Sequence, residues 1–157
     1  MDTRQLDEIL RRNEDTAETF VGVYALDELA SVASARTRQR DRWFLVCNCC
    51  PSSQRGQHWV AIFYECGEVE FFDSFGLPPF AYDRALLAFL HSLTTQRRDV
   101  TYNNVPLQAF DSDACGHYCV LYGAARSRGD TFWRVVRDMC TLTRDTFIKF
   151  IVNTLLV

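Results

Sequence analysis

No stretch of the 157 residues approaches the ~20 consecutive apolar residues that a membrane-spanning helix needs, so no membrane partner is expected. Glycine and proline are scarce, with 7 and 4 residues, and repeats, low-complexity tracts and linker-like stretches are missing. Together these absences exclude a fibrous chain, a repeat array and a string of domains, and residues 1–157 read as one domain. A large excess of one charge is also lacking. The net charge of −3 demands neither a nucleic acid nor a membrane surface. The opening residues, Met1-Asp2-Thr3-Arg4-Gln5-Leu6-Asp7-Glu8, are too charged for a signal peptide. The seven cysteines are odd in number, so free thiols in a reducing, intracellular setting are expected rather than a disulfide framework.

What is present is a core. The chain is 48% hydrophobic, which is ample to fold. Leu6, Ile9 and Leu10 fall at helical spacing within 2–13. Residues 16–24 read as a loop that packs Phe20 and Tyr24, and 25–35 as a second helix. Trp43 to Cys47 is an apolar strand. His58 to Tyr64 is a strand rich in β-branched and aromatic residues, and Glu65-Cys66-Gly67-Glu68 turns it back into Val69–Phe72. Helices are expected over 82–93, 115–125, 131–140 and 143–155, with a short strand at 99–102. Pro106 forbids a regular helix in the loop before Cys115. The fold class is α+β, a mixed central sheet flanked by helices.

One string stands out: Asp113-Ala114-Cys115-Gly116-His117-Tyr118-Cys119. Cys115 sits where a helix should begin, with Ser112 or Asp113 as its cap. The helix dipole and the unsatisfied first N–H groups favour a thiolate there, whereas the carboxylates of Asp111 and Asp113 oppose it. Gly116 leaves space beside the nucleophile for a substrate backbone. A thiol nucleophile needs a base, an orienter for that base and an oxyanion donor. His58 begins a strand after a loop, and the hairpin brings Asp73 next to it. Gln108, on the loop before Cys115, offers an amide N–H beside the Cys115 backbone N–H. Trp59 follows the base and is a cleft candidate.

These strings resemble the adenovirus-type cysteine proteases, the adenain group, and their relatives in large DNA transposons and other DNA viruses. The resemblance rests on Phe20-Val21-Gly22-Val23-Tyr24, Gln57-His58-Trp59-Val60-Ala61, Phe71-Phe72-Asp73-Ser74-Phe75-Gly76 and the stretch from Leu107-Gln108 to Cys115-Gly116. The same clan holds the proteases of SUMO and ubiquitin-like proteins. The resemblance implies a cysteine-protease fold with the nucleophile at a helix N-terminus. It implies His58 as base, Asp73 as orienter, Gln108 as oxyanion donor and Cys115 as nucleophile, with Trp59 and Gly116 lining the cleft and no cofactor or metal. Its implied substrates are viral structural precursors cut at Gly-containing sites during virion maturation, in the host nucleus and virion. Adenovirus enzymes take an activating peptide through a cysteine in the strand before the Gln. The corresponding Arg98-Asp99-Val100-Thr101-Tyr102 has no thiol, so any activating peptide would bind noncovalently.

Other classes compete with this reading. A SUMO or ubiquitin-like isopeptidase needs the same four residues. A metal-binding module would use Cys47, Cys49, Cys50, Cys115, His117 and Cys119, but their spacing is not that of common zinc sites. An inactive interaction module is the third. The locally basic run containing Arg36, Arg38, Arg40 and Arg42 reads as a solvated helix end or loop, with DNA contact as its alternative.

Overall fold

The computed structural model describes residues 1–32, 40–94, 99–142 and 145–155. Helix α1 spans Thr3–Arg12, strand β1 Phe20–Tyr24 and the short helix α2 Leu29–Val32. Strands β2 (Arg42–Asn48), β3 (Trp59–Glu65) and β4 (Glu68–Phe72) follow, then α3 (Arg84–Leu93) and β5 (Thr101–Tyr102). The chain then forms α4 (Cys115–Ser127), α5 (Phe132–Thr141) and α6 (Asp145–Leu155).

The strands form one mixed sheet in the order β1-β2-β3-β4-β5. The pairs β1–β2 and β4–β5 are parallel, and β2–β3–β4 is an antiparallel meander. Helices cover both faces, so the central strands are apolar on both sides and read as unbroken hydrophobic runs. Alternation still sorts them. Phe44, Val46, Ala61, Phe63 and Phe72 pack with α1 and α4–α6. Trp43, Leu45, Cys47, Val60, Ile62 and Phe71 pack with α2 and α3.

Helix α4 lies across β3 and is buried along most of its length. Gly123 makes the approach possible. A Cβ there would lie 2.4 Å from the ring of fully buried Phe44. The glycine thus sets the height of α4 above the sheet, and with it the position of Cys115.

Three expectations are corrected. Residues 16–24 are not all loop, because Phe20–Tyr24 is an edge strand. Its parallel partner begins some twenty residues on, and Gly22 and a bulge between Phe20 and Gly22 weaken its local signal. The helix expected over 25–35 is a 3₁₀ turn at Leu26–Glu28 followed by one α turn, and 33–35 lie outside the described residues. Neither Ser112 nor Asp113 caps α4. The cap position is Ala114, which has no capping side chain. Ser112 Oγ accepts from the Ala114 N–H instead, and exposed Asp113 pairs with Lys149. The other predicted helices and strands are present, with ends moved by a residue or two.

Candidate active site

The β3–β4 meander places His58 beside Asp73. Ala61 pairs with Phe72, so the residue before β3 and the residue after β4 meet at one sheet edge. Those residues are His58 and Asp73. His58 Nε2 lies 2.6 Å from Asp73 Oδ1, and both side chains are almost wholly buried.

Asp73 is held on every side. Its Oδ1 also accepts from the Phe75 N–H at 2.9 Å, and its Oδ2 from the Leu77 N–H at 3.0 Å and the Tyr82 hydroxyl at 2.8 Å. Asn103 clamps the backbone of the same residue. Its Oδ1 accepts from the Asp73 N–H at 3.0 Å, and its Nδ2 donates to the Asp73 carbonyl at 2.6 Å. Gly76, at φ 70, closes this turn. A Cβ there would strike the Val105 backbone at 2.5 Å, so the turn accepts only glycine.

With Nε2 committed to Asp73, Nδ1 is the nitrogen left for the thiol. It is buried and makes no hydrogen bond among the described residues. Burial alone would lower the imidazole pKa. The hydrogen bond to Asp73 and the neighbouring Cys115 thiolate outweigh burial and lift it to about 9. Burial would in turn raise the Cys115 thiol. The bond from His58, helped by the backbone N–H groups of Trp59 and Gly116, carries it below its ordinary value instead. Both directions favour an imidazolium–thiolate pair. The uncapped helix start serves it, since no side chain competes for the first-turn N–H groups. Asp113, turned outward to Lys149, does not oppose it as the sequence suggested. Cys119 differs sharply: fully buried one turn on, its thiol is pushed well up by desolvation.

Gln108 is also fixed. Its Oε1 accepts from Ser74 Oγ at 2.7 Å, and its Nε2 donates to the Ser112 carbonyl at 2.6 Å. Its own N–H, with that of Leu107, anchors the loop to the Ser74 carbonyl at 3.0 and 2.8 Å. The serine defines which end of the amide is oxygen, and one N–H remains to serve an oxyanion.

The two cleft candidates separate. The Trp59 indole helps to wall a cleft of about 250 Å³ with Val23, Tyr24, Asn48 and Cys50, and its Nε1–H donates to the Met1 carbonyl at 3.1 Å. Gly116 does not face a cleft. It is buried, and a Cβ there would come within 3.0 Å of Met1 Cβ and 3.4 Å of Leu6 Cδ2. Its missing side chain admits the start of α1 rather than a substrate backbone.

Of the basic run, Arg40 and Arg42 are among the described residues. Arg36 and Arg38 lie outside the described residues. Arg40 donates to the Glu18 carbonyl. Arg42 pairs with Glu65 at 3.0 Å, donates to the Arg126 carbonyl and lies over the Phe63 ring, so its charge is spent inside the fold. Among the described residues no cluster of three or more His, Cys, Asp or Glu is placed to hold a metal, and the seven cysteines are free thiols.

Sequence reasoning missed Ser74, Tyr82 and Asn103. Ser74 sat in plain view beside Asp73, but nothing local marked Tyr82 or Asn103 as its neighbours in space.

No family model and no curated protein matches this chain. Solved structures do. The ASFV pS273R protease, a viral protein, superposes with a TM-score of 0.71 at 18% identity, covering 99% of this chain and 67% of that one. The C-terminal protease domain of Ulp1, in complex with Smt3, the yeast ortholog of SUMO, gives 0.57 at 14% identity, covering 98% and 76%. AvrA with IP6 and CoA gives 0.51 at 15% identity, covering 77% and 46%. The chain therefore has the Ulp1-like cysteine-protease fold, as expected. These neighbours hold quite different molecules, so the chemistry has to be argued from this chain's own side chains.

Proposed function

We propose that this chain is a cysteine endopeptidase, with Cys115 as nucleophile, His58 as general base and acid, Asp73 as its orienter and Gln108 as oxyanion donor. The observation that carries the reading is the buried 2.6 Å His58–Asp73 contact, whose free ring nitrogen serves a thiol at an uncapped helix start. The thiolate attacks a peptide carbonyl. The Gln108 amide and the Cys115 N–H take the charge that develops on oxygen, and His58 protonates the leaving amine. Water, deprotonated by the imidazole, then releases the acid and restores the thiolate–imidazolium pair. We take the substrates to be precursor polypeptides of a virus or transposon, cut at Gly-containing sites. The likeness to a viral protease supports this. Any activating peptide would bind without a disulfide, since Thr101–Tyr102 offers no cysteine.

The likeness to Ulp1 bound to Smt3 favours a second reading, an isopeptidase of a ubiquitin-like tail. Incubation of the purified chain with a SUMO-type precursor and, separately, with structural precursors from its own source separates the two. Cleavage of the source's own precursors alone supports the first reading, and processing of the SUMO-type precursor alone overturns it in favour of the second. Failure to cleave either, with no alkylation of Cys115 by a peptide electrophile, would discard both.

A further inference from the structure

We infer that the rings of Phe75 and Phe110 form a binding surface for an apolar side chain in the first two residues after the cleaved bond, an inference that rests on the endopeptidase reading above. Phe110 is 95% exposed. A single exposed aromatic ring carries no meaning, but this one is not isolated. Its ring centroid lies 6.3 Å from that of Phe75, and Phe75 lies 4.6 Å from the imidazole of His58 with the two rings stacked. Leu77 and Val105, 45% and 41% exposed, continue the apolar surface. They adjoin because Gly76 packs directly on the Val105 backbone. An apolar rim thus starts on the face of the base and runs outward.

Chemistry says what must cross that rim. His58 delivers a proton to the leaving amine, so the departing polypeptide begins at a nitrogen next to the imidazole. One edge of the ring is closed by buried Asp73, and the thiol belongs to the other. Phe75 covers a face of the ring and is the first side-chain surface the departing segment meets. Phe110 is the next. The loop bearing Phe110 is the one that bears Gln108, tied to the Ser74 carbonyl, so the aromatic ring is set out from an anchored base. Burying an aliphatic or aromatic side chain against the two phenyl rings would recover apolar area that the fold leaves in water.

The test is digestion of a peptide library randomised on both sides of a central Gly-Gly, with cleavage sites mapped by mass spectrometry. The wild-type chain should enrich Leu, Met, Ile or Phe in the first two positions after the cut by about 10-fold over Ser or Asp. Phe110→Ser should bring that ratio close to one, and Phe110→Leu should restore most of it. Because the readout is a ratio within one digest, a general loss of activity does not mimic it. Cleavage by wild type with no preference after the cut, or a preference that Phe110→Ser leaves intact, overturns the inference while the endopeptidase reading stands. No cleavage anywhere in the library, with Cys115 unreactive towards a peptide electrophile, overturns the endopeptidase reading and this inference with it.

Discussion

Helix α4 carries a buried polar cluster at each end, and the two are built on opposite plans. At its C-terminal end Arg126 donates to Glu70 at 2.7 and 2.9 Å, to Glu65 at 3.1 Å and to the Asp130 carbonyl, while the Tyr122 hydroxyl donates to Glu70 at 2.6 Å. The guanidinium also lies over the Phe63 ring at 4.5 Å. Each nitrogen of the Arg126 guanidinium is spent. At the N-terminal end Asp73 is equally saturated, but the atoms proposed to react are not. His58 Nδ1 and one N–H of Gln108 keep bonding capacity in reserve. The lesson is that burial and charge alone do not mark a reactive cluster. Saturation throughout holds a helix in place, whereas saturation around a few unspent atoms prepares a reaction.

That contrast breaks most clearly at the nucleophile. Cys115→Ala and His58→Ala should each lower kcat by on the order of 10⁵-fold, with thermal unfolding little changed. Cys119→Ala should keep most activity. Alkylation with peptide mapping checks the assignment, because label on Cys119 rather than Cys115 would reverse it.

The opposite result is expected at the other end of α4. Arg126→Ala leaves Glu70 buried without its counter-ion and should cost about 3–5 kcal/mol in denaturant unfolding. An undiminished midpoint would show that the cluster does not hold the helix.

Next comes Gln108→Ala, which should reduce kcat by about 10²-fold with KM nearly unchanged, because only the transition state carries the oxyanion. Unaltered kcat would remove Gln108 from the site.

The pH profile tests the ion pair. kcat/KM should rise as the thiol ionises, below the ordinary thiol range, and fall as His58 loses its proton near about 9. Asp73 raises the imidazole pKa, so Asp73→Asn should move the alkaline limb to lower pH, with a smaller loss than that of the nucleophile. An unmoved limb would contradict the assignment. The same shift acts on stability. The folded imidazole holds its proton more tightly than an unfolded one, so its contribution is full below about pH 6.5 and is lost as pH rises through about 9.

Tyr82→Phe should have the smallest effect, a fall in kcat of about 5-fold from the loss of one hydrogen bond to Asp73. KM should not move. A change in KM with constant kcat would make Tyr82 a substrate contact rather than a positioning residue.

The sequence made His58, Asp73, Gln108 and Cys115 legible because acyl chemistry limits which side chains can serve, and because a short hairpin makes 58 and 73 neighbours without knowledge of the rest of the fold. The strands of the meander were legible for the same local reason. What stayed hidden depends on distant partners. β1 is defined by a parallel neighbour, Asn103 by a backbone thirty positions earlier, and the free start of α4 by the outward turn of Asp113 to Lys149. Gly116 misled because a missing side chain signals close approach without saying by what.

The lowered Cys115 thiol also ranks this sulfur among its fellows in another currency, electron loss. Peroxide attacks thiolates rather than thiols, and burial keeps Cys47 and Cys119 protonated. The pairing proposed to ready Cys115 for a carbonyl would therefore also favour its conversion into a sulfenic acid ahead of Cys47 and Cys119. With this site intact, the chain's working life is set by the reducing power of its surroundings as much as by the stability of its fold.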